Sequence, residues 1–214
     1  MIFVDESIQQ DLGYICLGFA YCEQAPDEAV NSALLQAGLT PTLGEYKSGA
    51  RMVNAQGLHD LRDSIYRIVL EKCMLGLYIG SVSERPNLLA AVVATADQIV
   101  QRNSLPQPQV VFEDEGILGP AIPAATTILK TNCNSKLISG IQLADFVAYH
   151  CSYLLKCAVT GKQKKVLIDS EPHPLGGKEV DLDWIVRTDL RRKFFVEYRN
   201  TDEIEGDDWF FKLA

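Results

Sequence analysis

One stretch constrains the fold more than any other: SKLISGIQLADFVAYHCSYLLKC, from Ser135 to Cys157, in which Asp145 is the only charged side chain between Lys136 and Lys156 when His150 is neutral. A run this apolar must be buried, and Gln142, Asp145 and His150 interrupt it too often for a membrane span, so it reads as a buried helix. Ser139 followed by Gln142 fits a capping box, S-x-x-Q, at its start. The puzzle is Asp145. Burying an unpaired carboxylate costs several kcal/mol, roughly, unless a cation or hydrogen-bond donors compensate. Asp145 is therefore either held by an arginine or backbone donors, or part of a site.

The rest of the chain supplies layers for that helix to pack on. IFVDES and GYICLGFAYC, joined by the turn-like IQQDLG, read as a β-hairpin. APDEAVNSALLQAG has Pro at its head, acids in its first turn and Gly38 past its end, the start and stop signals of a short helix. From Asn54 to Lys72, Leu58, Leu61, Ile65, Ile68 and Val69 recur at helical spacing. CMLGLYIGSV is a buried strand, PNLLAAVVATADQIVQR a helix, and PQVVFEDEG a buried strand ending at an acidic loop. The order hairpin, helices, strand, helix, strand, helix predicts an α/β domain with a mixed central sheet flanked by helices over residues 1–157. After residue 158 the pieces GKQKK, SEPHPLGG and EGDD are polar and turn-rich, so residues 158–214 read as an extension or small subdomain packed on it.

Composition narrows the function. A chain that is 47% hydrophobic and 22% charged is that of a compact protein with a real core. MIFVDES has neither a basic n-region nor an apolar run before a cleavage site, which with reduced thiols gives a cytoplasmic, non-membrane expectation. The six cysteines show no CxxC or CxxC…HxxxH spacing, so they read as reduced core thiols rather than zinc ligands. His59, His150 and His173 lie far apart and read as structural or exposed. A net charge of −8 argues against broad coating of nucleic acid, though not against a local basic groove. Lys162, Lys164 and Lys165, then Arg191, Arg192 and Lys193, are the concentrated positive charge available for one; spacing alone makes both solvated faces.

Three acidic positions share a context. Asp5 and Glu6 end the first strand, Glu113, Asp114 and Glu115 end a later one, and Asp145 lies in the last helix. Ligand sites in open α/β sheets gather beyond the carboxyl ends of strands, where such acids could face one cavity and a crossing helix could add Asp145. A divalent cation would offset their repulsion, and oxygen-only ligands suit Mg²⁺ or Mn²⁺. Two such ions about 4 Å apart form the arrangement used for in-line phosphoryl transfer. Strands also commonly end in acids because loops are polar, so it is the conjunction that carries the metal reading. In TLGEYKSGARM, Glu45 and Lys47 flank Tyr46 in a loop or short extended piece; a lysine near such a site could hold a phosphate, and a solvated ion pair is the plainer reading. Gln142 is equally a capping-box residue or a substrate contact.

FVDES at the start, GEYKS about forty residues on, VVFEDEG at a later strand end and SGIQLADFVAY in the last helix together resemble domain-of-unknown-function family 3800, a prokaryotic and phage group of ribonuclease H-like fold. The resemblance spans residues 2–157, and GIQLAD is its most specific piece. It implies that Asp5, one of Glu113 and Asp114, and Asp145 bind two magnesium ions for phosphodiester chemistry, and that Glu45 and Lys47 belong to the site. Side chains alternate along a strand, so only one of Glu113 and Asp114 points inward; Asp114 is preferred. This chain reads Glu-Asp where the family shows Asp-Glu, and DESI where it shows DESG. The expected function is a metal-dependent nuclease or phosphodiesterase acting on nucleic acid, with Asp5, Asp114 and Asp145 as metal ligands and Glu6 or Glu113 as an auxiliary one. Two other readings stand beside it: an inactive interaction module of a phage or defence system, and a metal-dependent hydrolase of a small phosphorylated molecule. The sequence does not specify oligomeric state, although the aromatic DDWFFKLA could pack on a partner or on its own domain.

Overall fold

The computed structural model describes residues 1–49, 56–120, 122–162, 165–167, 179–181 and 188–195. Strands β1 (Ile2–Gln9) and β2 (Tyr14–Cys22) form the hairpin, with Gly13 at φ 78° closing the turn between them. The chain then leaves the sheet for helices α1 (Asp27–Gln36) and α2 (Gln56–Lys72) and returns as β3 (Cys73–Ser81), antiparallel to β2. Helix α3 (Leu88–Arg102) leads into β4 (Gln109–Asp114), parallel to β1, and β5 (Thr127–Cys133) adds parallel to β4. Helix α4 (Gly140–Thr160) follows. The strand order is β3-β2-β1-β4-β5, a mixed five-stranded sheet flanked by helices, as the sequence pattern predicts.

Strand alternation sorts side chains onto two faces. Phe3, Cys16 and Ala20 meet Ile65 and Val69 of α2 and Ile141, Ala144 and Val147 of α4. Ile2, Val4, Ile15 and Phe19 meet Val92, Ala96 and Ile99 of α3 on the other face. Helix α4 lies unusually close to the sheet, because a Cβ on Gly18 of β2 would stand 2.4 Å from the Ala148 nitrogen and 2.8 Å from the Ala144 carbonyl oxygen. Glycine at position 18 and small residues at 144 and 148 therefore set how near α4 can bring its polar groups to β1.

Three local expectations are corrected. Strand β5 was not anticipated, because as an edge strand most of its side chains are exposed and its sequence carries no clean alternation. Asp5 and Glu6 do not end β1, which pairs with β2 as far as Gln9 opposite Tyr14; it is the pairing with β4 that stops, at Val4 opposite Glu113. Ser139 and Gln142 form no capping box: Ser139 has helical dihedrals, its hydroxyl donates to Asp27 at 2.7 Å, and the Gln142 amide is used elsewhere. A capping box does form at Ser81 and Glu84, ahead of the 3-10 turn Val82–Asn87.

Past residue 157, α4 runs on to Thr160, and β6 (Lys165–Leu167) pairs with β7 (Glu179–Asp181). Residues 188–195 return to the free edge of β3, where the Leu75 N–H donates to the Lys193 carbonyl at 2.8 Å and the Phe195 N–H to the Leu75 carbonyl at 3.0 Å. Leu190 and Phe194 enter the core on the α4 face, and Phe195 enters the other. Lys164, His173 and the stretches SEPHPLGG, EGDD and DDWFFKLA lie outside the described residues. Among the described residues no helix is long and apolar enough to cross a membrane.

Candidate functional site

The register of β1 and β4 decides which acids can meet. Phe3 pairs with Phe112 on the α4 face, their rings stacked at 5.5 Å, so Asp5 and Asp114, each two residues further along, point to that same face. Glu6 and Glu113 carry the opposite parity and share the α3 face with Val4 and Val111. Asp145 comes down from α4, next to the Ala144 that abuts Gly18, and Gly18 is the β2 partner of Asp5. Sheet register and helix approach together bring Asp5, Asp114 and Asp145 to one place.

Their electrostatics show that proximity. Asp5 is 4% exposed and its carboxyl is pushed up to about 9, first by burial, then by the charges of Asp145, Asp114 and Glu6. Burial also raises Asp114 and Asp145, while Lys47 opposes the rise in both. Burial works against the Lys47 ammonium, yet Asp5, Glu45, Asp145 and Asp114 outweigh it and hold its pKa above the ordinary value. Lys47 is the cation this group of acids already has.

A network of hydrogen bonds holds the loop that carries Lys47. The Tyr46 N–H donates to Gln142 Oε1 at 2.7 Å, and Gln142 Nε2 donates to the Ser135 carbonyl at 2.9 Å. The Ser48 N–H donates to Asp145 Oδ2 at 2.7 Å, the Ser48 hydroxyl donates to the Tyr46 hydroxyl at 3.0 Å, and Arg62 donates to the Ser48 carbonyl at 3.3 Å. Glu45 accepts from the Ser135 hydroxyl and stands 3.8 Å from Lys47 Nζ. Gln142 is 1% exposed with both ends of its amide in use, so it positions this loop and offers nothing to a substrate. Asp145 is accordingly held by a backbone donor and near a lysine. Arg62 and Ser135 carry no sequence signal and Tyr46 and Ser48 only that of lying within GEYKS, since each acts through a backbone group or a contact that only the fold creates.

Glu6 and Glu113 differ from the trio. Glu113 Oε1 accepts from the Asn132 N–H at 2.7 Å, where β4 and β5 shift register, and burial lifts its pKa to about 7. Its Oε2 and the Oε2 of Glu6 are buried without a hydrogen-bond partner among the described residues. The backbone N–H of Glu6, on the side of β1 where β4 has ended, donates to Asp5 Oδ1 at 2.7 Å. Elsewhere, Lys162, Lys165, Arg191 and Arg192 are exposed. His59 is exposed, and His150 is buried with its ring against Phe146.

Among the described residues no three His, Cys, Asp or Glu side chains stand as a group around one ion position. The donor set nevertheless fits a hard cation: every candidate ligand is a carboxylate oxygen, and the acids raise one another's pKa in want of positive charge. Fold and site define an α/β protein with a mixed five-stranded sheet on one face of which a buried carboxylate, Asp5, and two half-buried ones, Asp114 and Asp145, lie near a lysine. Comparison with family models, with curated proteins and with solved structures returns no match.

Proposed function

We propose that the protein is a metal-dependent phosphodiesterase of ribonuclease H-like fold, acting as a nuclease. The observation that carries this reading is the convergence of Asp5, Asp114 and Asp145 on one face of the sheet with Lys47 beside them. What supports the fold part of this reading is a mixed sheet in which β1 to β3 are antiparallel and β4 and β5 run parallel to β1, with α4 packed on one face. Strand parity supports Asp114 over Glu113 as the strand-end ligand. Mg²⁺ or Mn²⁺ held by Asp5, Asp114 and Asp145 would activate water and stabilise the leaving oxygen.

The chain's own residues then have separable roles. Lys47 holds a phosphate oxygen of the substrate by its charge, and Glu45, bonded to Ser135, limits where the ammonium can go. Gln142, Ser48 and Arg62 fix the loop, so that Lys47 is in place before substrate arrives.

The test is cleavage of single- and double-stranded DNA and RNA by purified protein with Mn²⁺, comparing wild type with Asp145→Asn. The amide keeps the Ser48 N–H as donor to its oxygen but removes the charge, so cleavage falls to background while the melting curve stays cooperative. Full activity in the variant would remove Asp145 from the mechanism. No cleavage of any nucleic acid by wild type, with turnover of small phosphate esters, would redirect the reading to a small-molecule hydrolase; no turnover at all favours the interaction module.

A further inference from the structure

At the end of the sheet away from the acids, Cys22 closes β2 and Cys73 opens β3, and the two are direct cross-strand partners with their sulfurs 3.4 Å apart. Leu75 directs its backbone N–H and C=O to residues 193 and 195, away from β2, so by alternation Cys73, two residues earlier, does the same. The cysteines are thus a non-hydrogen-bonded antiparallel pair, in which Cα atoms stand about 4.5 Å apart. That lies within the roughly 4.4–6.8 Å span of disulfides, and closure needs only the sulfurs to approach to about 2.05 Å.

Charge favours reaction at Cys22, and the pair is approached from the Cys73 side. The contact with the Cys73 sulfur holds Cys22 below the ordinary thiol value in spite of burial, the N-terminal ammonium and then Lys72 add to the effect, and the same contact holds Cys73 well above that value, whereas burial pushes Cys16 up to about 12. Cys73 also borders a pocket of about 350 Å³, rimmed by Lys72, Lys193, Glu23 and Glu71. Each cysteine is 1% exposed, which admits a small oxidant rather than a bulky one.

We propose that Cys22 and Cys73 are a dithiol site for hydrogen peroxide that closes into a reversible disulfide across the β2–β3 pair. The Cys22 sulfur attacks one peroxide oxygen; the S–O bond forms, the O–O bond breaks, and the leaving hydroxide takes the thiol proton as water. The Cys73 sulfur then attacks the Cys22 sulfenic acid and expels its hydroxide, which leaves as a second water with the Cys73 proton. Two thiols are oxidised and one peroxide is reduced to two waters; an added dithiol restores both thiols by exchange.

The experiment treats the full chain with dilute hydrogen peroxide, alkylates free thiols in denaturant, and maps the peptides by mass spectrometry. The expected result is a Cys22–Cys73 linked peptide as the predominant disulfide, absent after dithiothreitol, with Cys73→Ser leaving Cys22 as a sulfenic acid trapped by dimedone. Recovery of both cysteines alkylated, at a dose that oxidises the half-exposed Cys133, would overturn the proposal, as would linkage of Cys22 to a different cysteine. The wild-type arm decides this even if Cys73→Ser does not fold.

Discussion

Asp5 shows what a site residue costs the fold that carries it. Its carboxyl has a folded pKa of about 9 against an unfolded value of 3.8, so the folded state binds the extra proton between these values. Stability contributed by that proton is complete below about pH 4 and is lost as pH rises toward 9. Asp5→Asn should therefore raise the melting temperature of the metal-free protein at pH 7, while abolishing cleavage, and the gain should shrink as pH falls toward 4. A melting series against pH for both proteins measures it; a gain that does not depend on pH would show that the Asp5 charge is not what strains the fold. The choice between Glu113 and Asp114 was half legible in the sequence. Alternation says that only one of them faces inward, but which one depends on the pairing of Phe3 with Phe112, a long-range register that no local pattern encodes. Gln142 was misassigned because S-x-x-Q is a local pattern, whereas its amide answers to Tyr46, nearly a hundred residues away in sequence.

Among the elements, α4 was the most legible, since length, apolarity and the interrupting polar residues fixed it as a buried helix. Its closeness to the sheet was not. That depends on Gly18, which looks like an ordinary strand glycine until the Ala148 backbone is seen above it. Gly18→Ala should destabilise by about 1–3 kcal/mol through overpacking and should weaken Mn²⁺-dependent cleavage by lifting Asp145 away from Asp5. Denaturant melts together with activity check both effects, and unchanged stability would mean that α4 moves aside freely. On the same helix, burial lowers the pKa of His150 from 6.5 to about 4, and its ring nitrogen Nδ1 donates to the Phe146 carbonyl at 2.8 Å. The unfolded chain thus takes up a proton that the folded one refuses between pH 6.5 and 4, and stability is lost as pH falls through that window. His150→Phe should flatten this acid limb of the stability profile, read as melting temperature against pH. An unaltered limb would place the acid sensitivity elsewhere. Strand β5 marks the limit of pattern reading, because an edge strand has too little burial to impose a period on its sequence.

The whole molecule is closed at its β3 edge by residues from well beyond α4. Phe194 is 2% exposed, bridges to Leu75 and belongs to the core cluster on the α4 side of the sheet, so Phe194→Ala should cost about 3–5 kcal/mol. A chemical denaturation midpoint tests it, and a loss below about 1 kcal/mol would show that this segment covers the edge without stabilising it. The same edge explains why the sequence reading divided the chain after residue 157: the composition does change there, but the contacts that bring 188–195 back to Leu75 are backbone hydrogen bonds, which composition cannot announce. The path between β2 and β3 has a consequence of another kind. Residues 23–72 leave the sheet beside Cys22 and re-enter it opposite, at Cys73, so the connection between α1 and α2 can change in length or content without moving any rung of the ladder, provided Ile65 and Val69 of α2 still pack on the sheet. The carboxylates belong to the sheet and α4, while Lys47 and its loop belong to this detour. The part that would hold a metal and the part that would read a substrate are thus separate in the chain and joined where Tyr46 and Ser48 donate to Gln142 and Asp145, so a changed loop that keeps those two backbone donors is the natural route to a new specificity at an unchanged set of carboxylates.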